Sequence, residues 1–140
     1  MREPVWLVLH VPFSWTVNVV FEFDDNNYIQ VWESYDRFAK LQICRRIQWS
    51  YHYGRVMAKD ELGYATQGSP DDPLEIRIDT CGGEPHLHYR QREPHYSQDQ
   101  VRGLTIKSIE AIEFIKTVLK HRSTKKTFQK LMGFKLSNGE

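Results

Sequence analysis

Alternation of apolar and polar positions organises the first two thirds of this chain, and a helical period organises its end. Val5, Leu7 and Leu9, with Trp6 and Val8 between them, form a continuous apolar run, the pattern of a strand buried on both faces. Arg2 and Glu3 precede the run, Pro12, Ser14, Thr16 and Asn18 follow it, and no small-residue cleavage site is present, so it reads as a strand rather than a secretion signal. A second run covers residues 16–23 and ends at Asp24-Asp25-Asn26-Asn27, whose side chains tolerate left-handed dihedrals and bond their own backbone. Residues 28–35 resume the β-branched and aromatic pattern, which predicts a hairpin over residues 16–35. Next, Ala39, Leu41, Ile43, Ile47, Trp49 and Tyr51 share one parity, broken only by Arg45, while Lys40, Gln42, Cys44, Arg46, Gln48, Ser50 and His52 share the other. That period of two predicts a long strand with one face on a core and the other toward water. Arg45 marks either an inward-facing functional charge or a bulge or strand end.

Residues 54–73 hold Gly54, Gly63, Gly68, Ser69, Pro70, Asp71, Asp72 and Pro73, loop composition around at most one short strand and suited to a flap. Leu74, Ile76 and Ile78 alternate with Glu75, Arg77 and Asp79 in a half-buried strand that runs to Cys81-Gly82-Gly83. Gly82-Gly83 has turn composition, with residues 85–90 as the returning strand. Residues 91–103 read as polar and irregular. From Ser108, a plausible N-cap, the period becomes helical: Ile109, Ile112, Ile115 and Leu119 form a stripe with Val118 beside it. Glu110 and Glu113 suit the positive end of that helix, and Lys120, His121 and Arg122 its negative end. A shorter helix follows over residues 124–132, stopped by Gly133. The expected fold is one α+β domain, residues 1–140, mainly β over residues 1–90 and helical over 104–133. An antiparallel sheet of five to seven strands would carry one or two C-terminal helices packed on it.

Composition narrows the picture. At 140 residues, 40% hydrophobic and 13% aromatic, the chain has the size and apolar content of one folded domain, which excludes disorder over most of its length. Trp6, Trp15, Trp32 and Trp49 are expected in the core or an interface, and His10 as a hydrogen-bonded core histidine. No apolar run approaches the roughly 18 residues of a membrane span, so no membrane partner is expected. Cys44 and Cys81 stand 37 residues apart without a second pair: one disulfide between them is an alternative, and two reduced thiols in a cytoplasmic protein the leading expectation. The net charge of +1 excludes a wholly basic coat, yet residues 107–140 carry eight Lys or Arg against three Glu, a local +5. Lys120, Arg122, Lys125, Lys126 and Lys130 are its densest part: either a solvated helix face or a surface for phosphate or an acidic partner. No glycine cradle for nucleotides and no Ser, Cys or His nucleophile motif is present.

One constellation carries chemistry. Three of the six histidines, His86, His88 and His95, fall within ten residues, just after a strand that presents Arg77 and Asp79 on one parity. If Gly82-Gly83 turns the chain, His86 and His88 project from one face opposite or diagonal to Arg77 and Asp79. Three readings compete. The histidines could be ordinary surface groups. They could bind a metal with Glu93, in a spacing similar to part of the first cupin metal motif, although Thr80 stands where that motif has Gly and Gln100 does not supply its later Gly. Or they could perform acid–base chemistry on a phosphodiester: one His deprotonates a ribose 2′-hydroxyl, another protonates the leaving oxygen, Arg77 stabilises the developing charge, and Asp79 orients an imidazole. Tyr89, Tyr96 and His52, expected to be exposed, would stack single-stranded RNA, with Lys120, Arg122, Lys125, Lys126 and Lys130 holding its backbone.

Early hairpins, Tyr51-His52-Tyr53, Arg77-Ile78-Asp79, Pro85-His86-Leu87-His88 and Pro94-His95 occur in an order that resembles the TumE-like small toxin proteins over about residues 20–120. That family's signature has an Arg-Tyr-Asp-Asn strand followed by proline–histidine pairs; here Ile78 replaces the Tyr and Thr80 the Asn. The resemblance implies a small toxin acting on RNA, encoded beside a helix-turn-helix antitoxin, with Arg77, Asp79, His86, His88 and His95 as its site. The leading expectation is a metal-independent ribonuclease that needs no cofactor. The second is a non-catalytic module binding a metal through the histidines or a partner through the basic helices.

Overall fold

The computed structural model describes residues 4–11, 14–38, 43–68, 73–80, 83–91 and 94–137; for residues 6, 9–11, 37, 38, 43 and 44 it describes the backbone only. Strands β1 (Val5–Val11), β2 (Ser14–Glu22), β3 (Asn27–Phe38), β4 (Ile43–Arg55), β5 (Ala58–Lys59), β6 (Ala65–Thr66), β7 (Leu74–Asp79), β8 (His86–Tyr89) and β9 (Val101–Arg102) precede helices α1 (Ala111–Thr124) and α2 (Phe128–Met132), and β10 (Lys135–Leu136) follows. Six strands form one antiparallel sheet in the order β1-β2-β3-β4-β7-β8. This is the expected α+β architecture. The predicted 16–35 hairpin is β2–β3, closed where Asn26 adopts φ 67° and the Phe23 N–H donates to the Asn27 carbonyl at 2.8 Å.

The first apolar run does form a strand, but not one buried on both faces. Among the described residues β1 pairs only with β2, at the sheet edge, and Leu7 and Val8 are 53% and 51% exposed. Continuous apolarity reports strand propensity there rather than a central position. The His10 and Cys44 side chains, with Cys81, Gly82 and Glu93, lie outside the described atoms.

A bulge resolves the broken parity of β4. Ser34 pairs with Gln48 but Tyr35 with Arg46, so Ile47 is an extra residue, and an extra residue exchanges the faces of all that lies beyond it. Arg46 therefore joins Trp49 and Tyr51 on one face, while Arg45 is exposed. The inward charge is Arg46, not its neighbour. Its guanidinium lies 4.0 Å over the Trp49 ring, donates to the Tyr51 hydroxyl, and donates to the carbonyls of Ile109 at 2.8 Å and Lys107 at 3.1 Å. Tyr51 in turn donates to Glu33 at 2.7 Å. Burial, reinforced by the Glu33 carboxylate, pushes the Tyr51 phenol well up, so it stays a donor. Arg46 thus ties the segment leading into α1 to the sheet.

The helix packs on that face, but by a different stripe from the one its spacing suggests. α1 begins at Ala111 with Glu110 as N-cap, and Ser108 belongs to a preceding 3-10 turn. Phe114 and Val118 are buried, with Phe114 5.7 Å from Tyr51, while Ile112 and Leu119 are 55% and 44% exposed. The helix carries two adjoining apolar stripes, and the one holding the large Phe114 ring takes the core, beside Ile76, Ile78, Leu87 and Phe128. α2 ends at Gly133 as expected, with Thr127 capping it by accepting from the Lys130 N–H.

The other face of β4 is also covered. Ser50 and His52 are 8% and 1% exposed, not turned to water. The 54–68 segment folds as a hairpin, β5–β6, rather than one short strand; the Ala65 N–H donates to the buried Glu22 carboxylate at 2.6 Å, and Ala65 packs with Val20 and Tyr28 in a second small core. Residues 91–103, which read as irregular, contain β9, paired with β10. That pairing requires Gly103, at φ 85°, because a Cβ there would come 2.1 Å from the Gly133 carbonyl oxygen.

Two stability effects follow. Arg46→Leu leaves the Tyr51 hydroxyl and two carbonyls without their charged donor, and should lower unfolding free energy by about 1.5–3 kcal/mol, read from urea midpoints. Gly103→Ala should cost about 1–3 kcal/mol from φ alone, with a further penalty from the clash, visible as a lowered Tm; an unchanged Tm would show that the β9–β10 contact is dispensable.

Candidate functional site

Cross-strand register builds two rows of side chains on the face away from α1. Trp32 pairs with Ser50, Ser50 with Asp79, and Asp79 with His86. In the next row Gln30 pairs with His52, His52 with Arg77, and Arg77 with His88. The juxtaposition expected of the β7–β8 turn is therefore present: Arg77 and Asp79 stand opposite His88 and His86. His95 joins them through the return of the chain, where the Leu87 and Tyr96 backbones exchange hydrogen bonds of 2.8 and 2.7 Å.

The site is less exposed than a strand facing water. Asp79 is 2% exposed. Its Oδ2 lies 2.6 Å from Arg77 Nε and 3.5 Å from His88 Nε2, so one buried carboxylate oxygen faces both a guanidinium and an imidazole. The His95 ring packs edge-on to His86 with centroids 4.6 Å apart, and 5.6 Å from His88. Thr80 anchors the end of β7 by accepting the Trp49 N–H at 3.0 Å on its hydroxyl and donating its own N–H to the Trp49 carbonyl at 3.0 Å. Among the described residues, no three His, Cys, Asp or Glu side chains are grouped to hold a metal ion.

Beside this cluster opens a cavity of about 430 Å³, walled by Gln30, Trp32 and Ser50 on the sheet, by Gln67 from beyond β6, and by Arg77 and Asp79. Sequence reasoning missed all of it except the Arg–Asp wall. The signal was the parity of β3, which sets Gln30 and Trp32 in line with Ser50 and His52, but a half-buried Trp reads as core until the register is known.

No protein-family model, curated protein or solved structure matches the chain.

The residues expected to hold RNA do not gather at this site. Tyr89, Tyr96 and His52 are 6%, 5% and 1% exposed, and none can stack a base. Tyr89 belongs to the opposite parity of β8 and packs edge-on against Phe134 at 5.4 Å, in the core under the helices. Lys120, Lys125, Lys126 and Lys130 are exposed, but on the helix layer, which covers the sheet face opposite the histidines. No helix among the described residues is long and apolar enough to cross a membrane.

Arg122 is committed elsewhere. Its guanidinium donates to the Tyr53 hydroxyl at 2.9 Å, lies 2.9 Å from an Asp25 carboxylate oxygen and sits 3.8 Å over the Phe23 ring, joining the end of α1 to the β2–β3 turn. Burial pushes the Asp25 carboxyl upward, but hydrogen bonds from Arg122 and Asn27 outweigh it and hold the carboxyl below its ordinary value. A lowered folded-state pKa means a contribution present above the ordinary carboxylate range and lost as pH falls through the folded pKa. Because Asp25 is half exposed, that contribution is under about 1 kcal/mol. Asp25→Asn should therefore lower stability at pH 7 and remove part of the loss that wild type shows on acidification below about pH 4; parallel pH–stability curves for the two proteins would contradict the pairing.

Proposed function

We propose that this protein, which resembles the TumE-like toxins, cleaves single-stranded RNA by metal-independent transesterification. The observation that carries the reading is the buried Asp79 carboxylate shared by Arg77 and His88, with His95 packed against His86 and His88, and with Arg77 and Asp79 forming one wall of the neighbouring cavity. Removing a carboxylate from water is costly, and a paired buried charge is weak evidence for stability. Its chemical use is to orient His88 through Nε2 and to stabilise the imidazolium that forms when His88 takes a proton.

In this scheme His88 removes the ribose 2′-hydroxyl proton, and the O2′ electron pair attacks the adjacent phosphorus. The P–O5′ bond breaks as a 2′,3′-cyclic phosphate forms, and a protonated His86 or His95 delivers its proton to the departing O5′. In the same scheme Arg77 stabilises the charge that develops on the phosphoryl oxygens. The exposed Lys120, Lys125, Lys126 and Lys130 form a separate basic surface, available to an RNA backbone or to the helix-turn-helix antitoxin of the resemblance.

End-labelled RNA incubated with the purified protein tests the scheme. Cleavage should survive EDTA, leave cyclic phosphate ends, and fall by about 10²–10⁴ on His88→Ala, the range for loss of a general base. Thermal unfolding of each variant serves as control. Cleavage lost in EDTA would indicate a metal enzyme; full activity in His88→Ala would remove the acid–base pair; absence of any cleavage would favour a binding module.

A further inference from the structure

We infer, building on the ribonuclease reading, that the cavity between β3, β4 and Gln67 is a pocket for one unpaired nucleobase, with preference for bases that carry an amino group. Three observations converge on it. The first is size and position. At about 430 Å³ the cavity lies in the range of small-molecule sites. Its lining follows the two cross-strand rows described above, so a ligand lying across the sheet from β3 to β7 spans about 10 Å before meeting the histidines on β8. That is the layout of a single nucleotide with its base over β3 and its phosphate at Arg77, His86 and His88.

The second is the division of chemistry along the cavity. The β3 end holds neutral groups: the carboxamides of Gln30 and Gln67, the Ser50 hydroxyl and the Trp32 indole. The β7 end holds the Arg77–Asp79 ion pair. A ligand with a flat, uncharged, hydrogen-bonding head and an anionic link matches both ends, and an aromatic side chain beside amide groups is the usual means of holding an unstacked base.

The third concerns Gln30. Its Nε2 donates to Asn18 Oδ1 at 3.1 Å, which leaves Oε1 as the free acceptor of the amide. Oε1 is buried and, among the described residues, has no hydrogen-bond partner. A buried acceptor left unmatched is costly, and a base amine entering from the cavity relieves it when the Gln30 side chain turns Oε1 toward it. Adenine, cytosine and guanine each present an exocyclic amine; uracil presents carbonyl oxygens flanking a single ring N–H. Gln30 therefore selects for the amino-bearing bases.

Titration of the intact protein with AMP, CMP, GMP and UMP, followed by amide chemical shifts, tests the pocket without requiring turnover. Ribose 5-phosphate and a methyl hexoside are the controls. Wild type should bind AMP, CMP or GMP at least about fivefold more tightly than UMP. Gln30→Leu should erase that difference with little change for UMP. Trp32→Ala should weaken all nucleotides by about tenfold, the scale of one lost stacking partner. His88→Ala, checked for folding, should keep the base preference even where it cannot cleave.

Equal binding of all four nucleotides by wild type and Gln30→Leu would overturn the pocket, as would ribose 5-phosphate binding as tightly as AMP. Preference for the hexoside would assign the cavity to a sugar instead and overturn it too. The two readings fail separately. RNA cleavage with a base preference untouched by Gln30→Leu and Trp32→Ala would sink the pocket and leave the catalytic scheme. Selective nucleotide binding without any cleavage would support the pocket and sink the catalysis.

Discussion

The placement of the helix layer depends on one charged side chain and the irregularity that turns it inward. Without the extra residue in β4, Arg46 would point away from Trp49 and Tyr51, and the carbonyls of Lys107 and Ile109 would meet no guanidinium. With it, a cation stacked on an indole reaches across to the segment that starts α1, and Glu33 and Tyr51 complete the charge and hydrogen-bond balance. Half-buried Arg with several acceptors is among the stronger polar ties available to a small domain. Because the helices then occupy one face of the sheet, the other is left for the β5–β6 hairpin, the cavity and the histidines.

Much of the fold was legible because period-two alternation survives wherever strands have one covered face. β4 and β7 announce themselves that way, the β2–β3 hairpin by β-branched and aromatic runs around an Asp-Asn turn, and α1 by its helical period. Three features did not. Ile47 breaks a parity that only the partner strand can interpret, so Arg45 drew attention that belonged to Arg46. The helix carries apolar residues on two adjoining stripes, and which one is buried depends on the ring of Phe114 meeting Tyr51, a tertiary fact. The β9–β10 pair is two residues long on each side, too short for any pattern, and rests on the close approach of Gly103 to Gly133.

At the site the same division appears. Local sequence was enough to set His86 and His88 opposite Asp79 and Arg77, since a turn near Gly83 and alternation on both sides dictate the register. It could not show that Asp79 is buried, because that burial comes from β4 on one side and β8 on the other. Nor could it show that Tyr89, so close to the histidines along the chain, faces the opposite layer. Neighbours in a strand are on different faces, and Tyr89 follows His88 by one.

The burial of Asp79 also bears on what the histidine face can do. An exposed cluster of imidazoles holds no preferred geometry, whereas here a carboxylate at 2% exposure, paired with Arg77, stands 3.5 Å from His88 Nε2. The β4 strand beneath is held by the backbone and hydroxyl of Thr80, so the carboxylate rests on a rigid sheet rather than a loop. His95, by contrast, arrives on a segment joined to the sheet by the Leu87–Tyr96 pair and stands exposed. A fixed imidazole backed by a buried carboxylate and a more accessible one packed against its neighbour is the asymmetry that the proposed acid–base pair calls for.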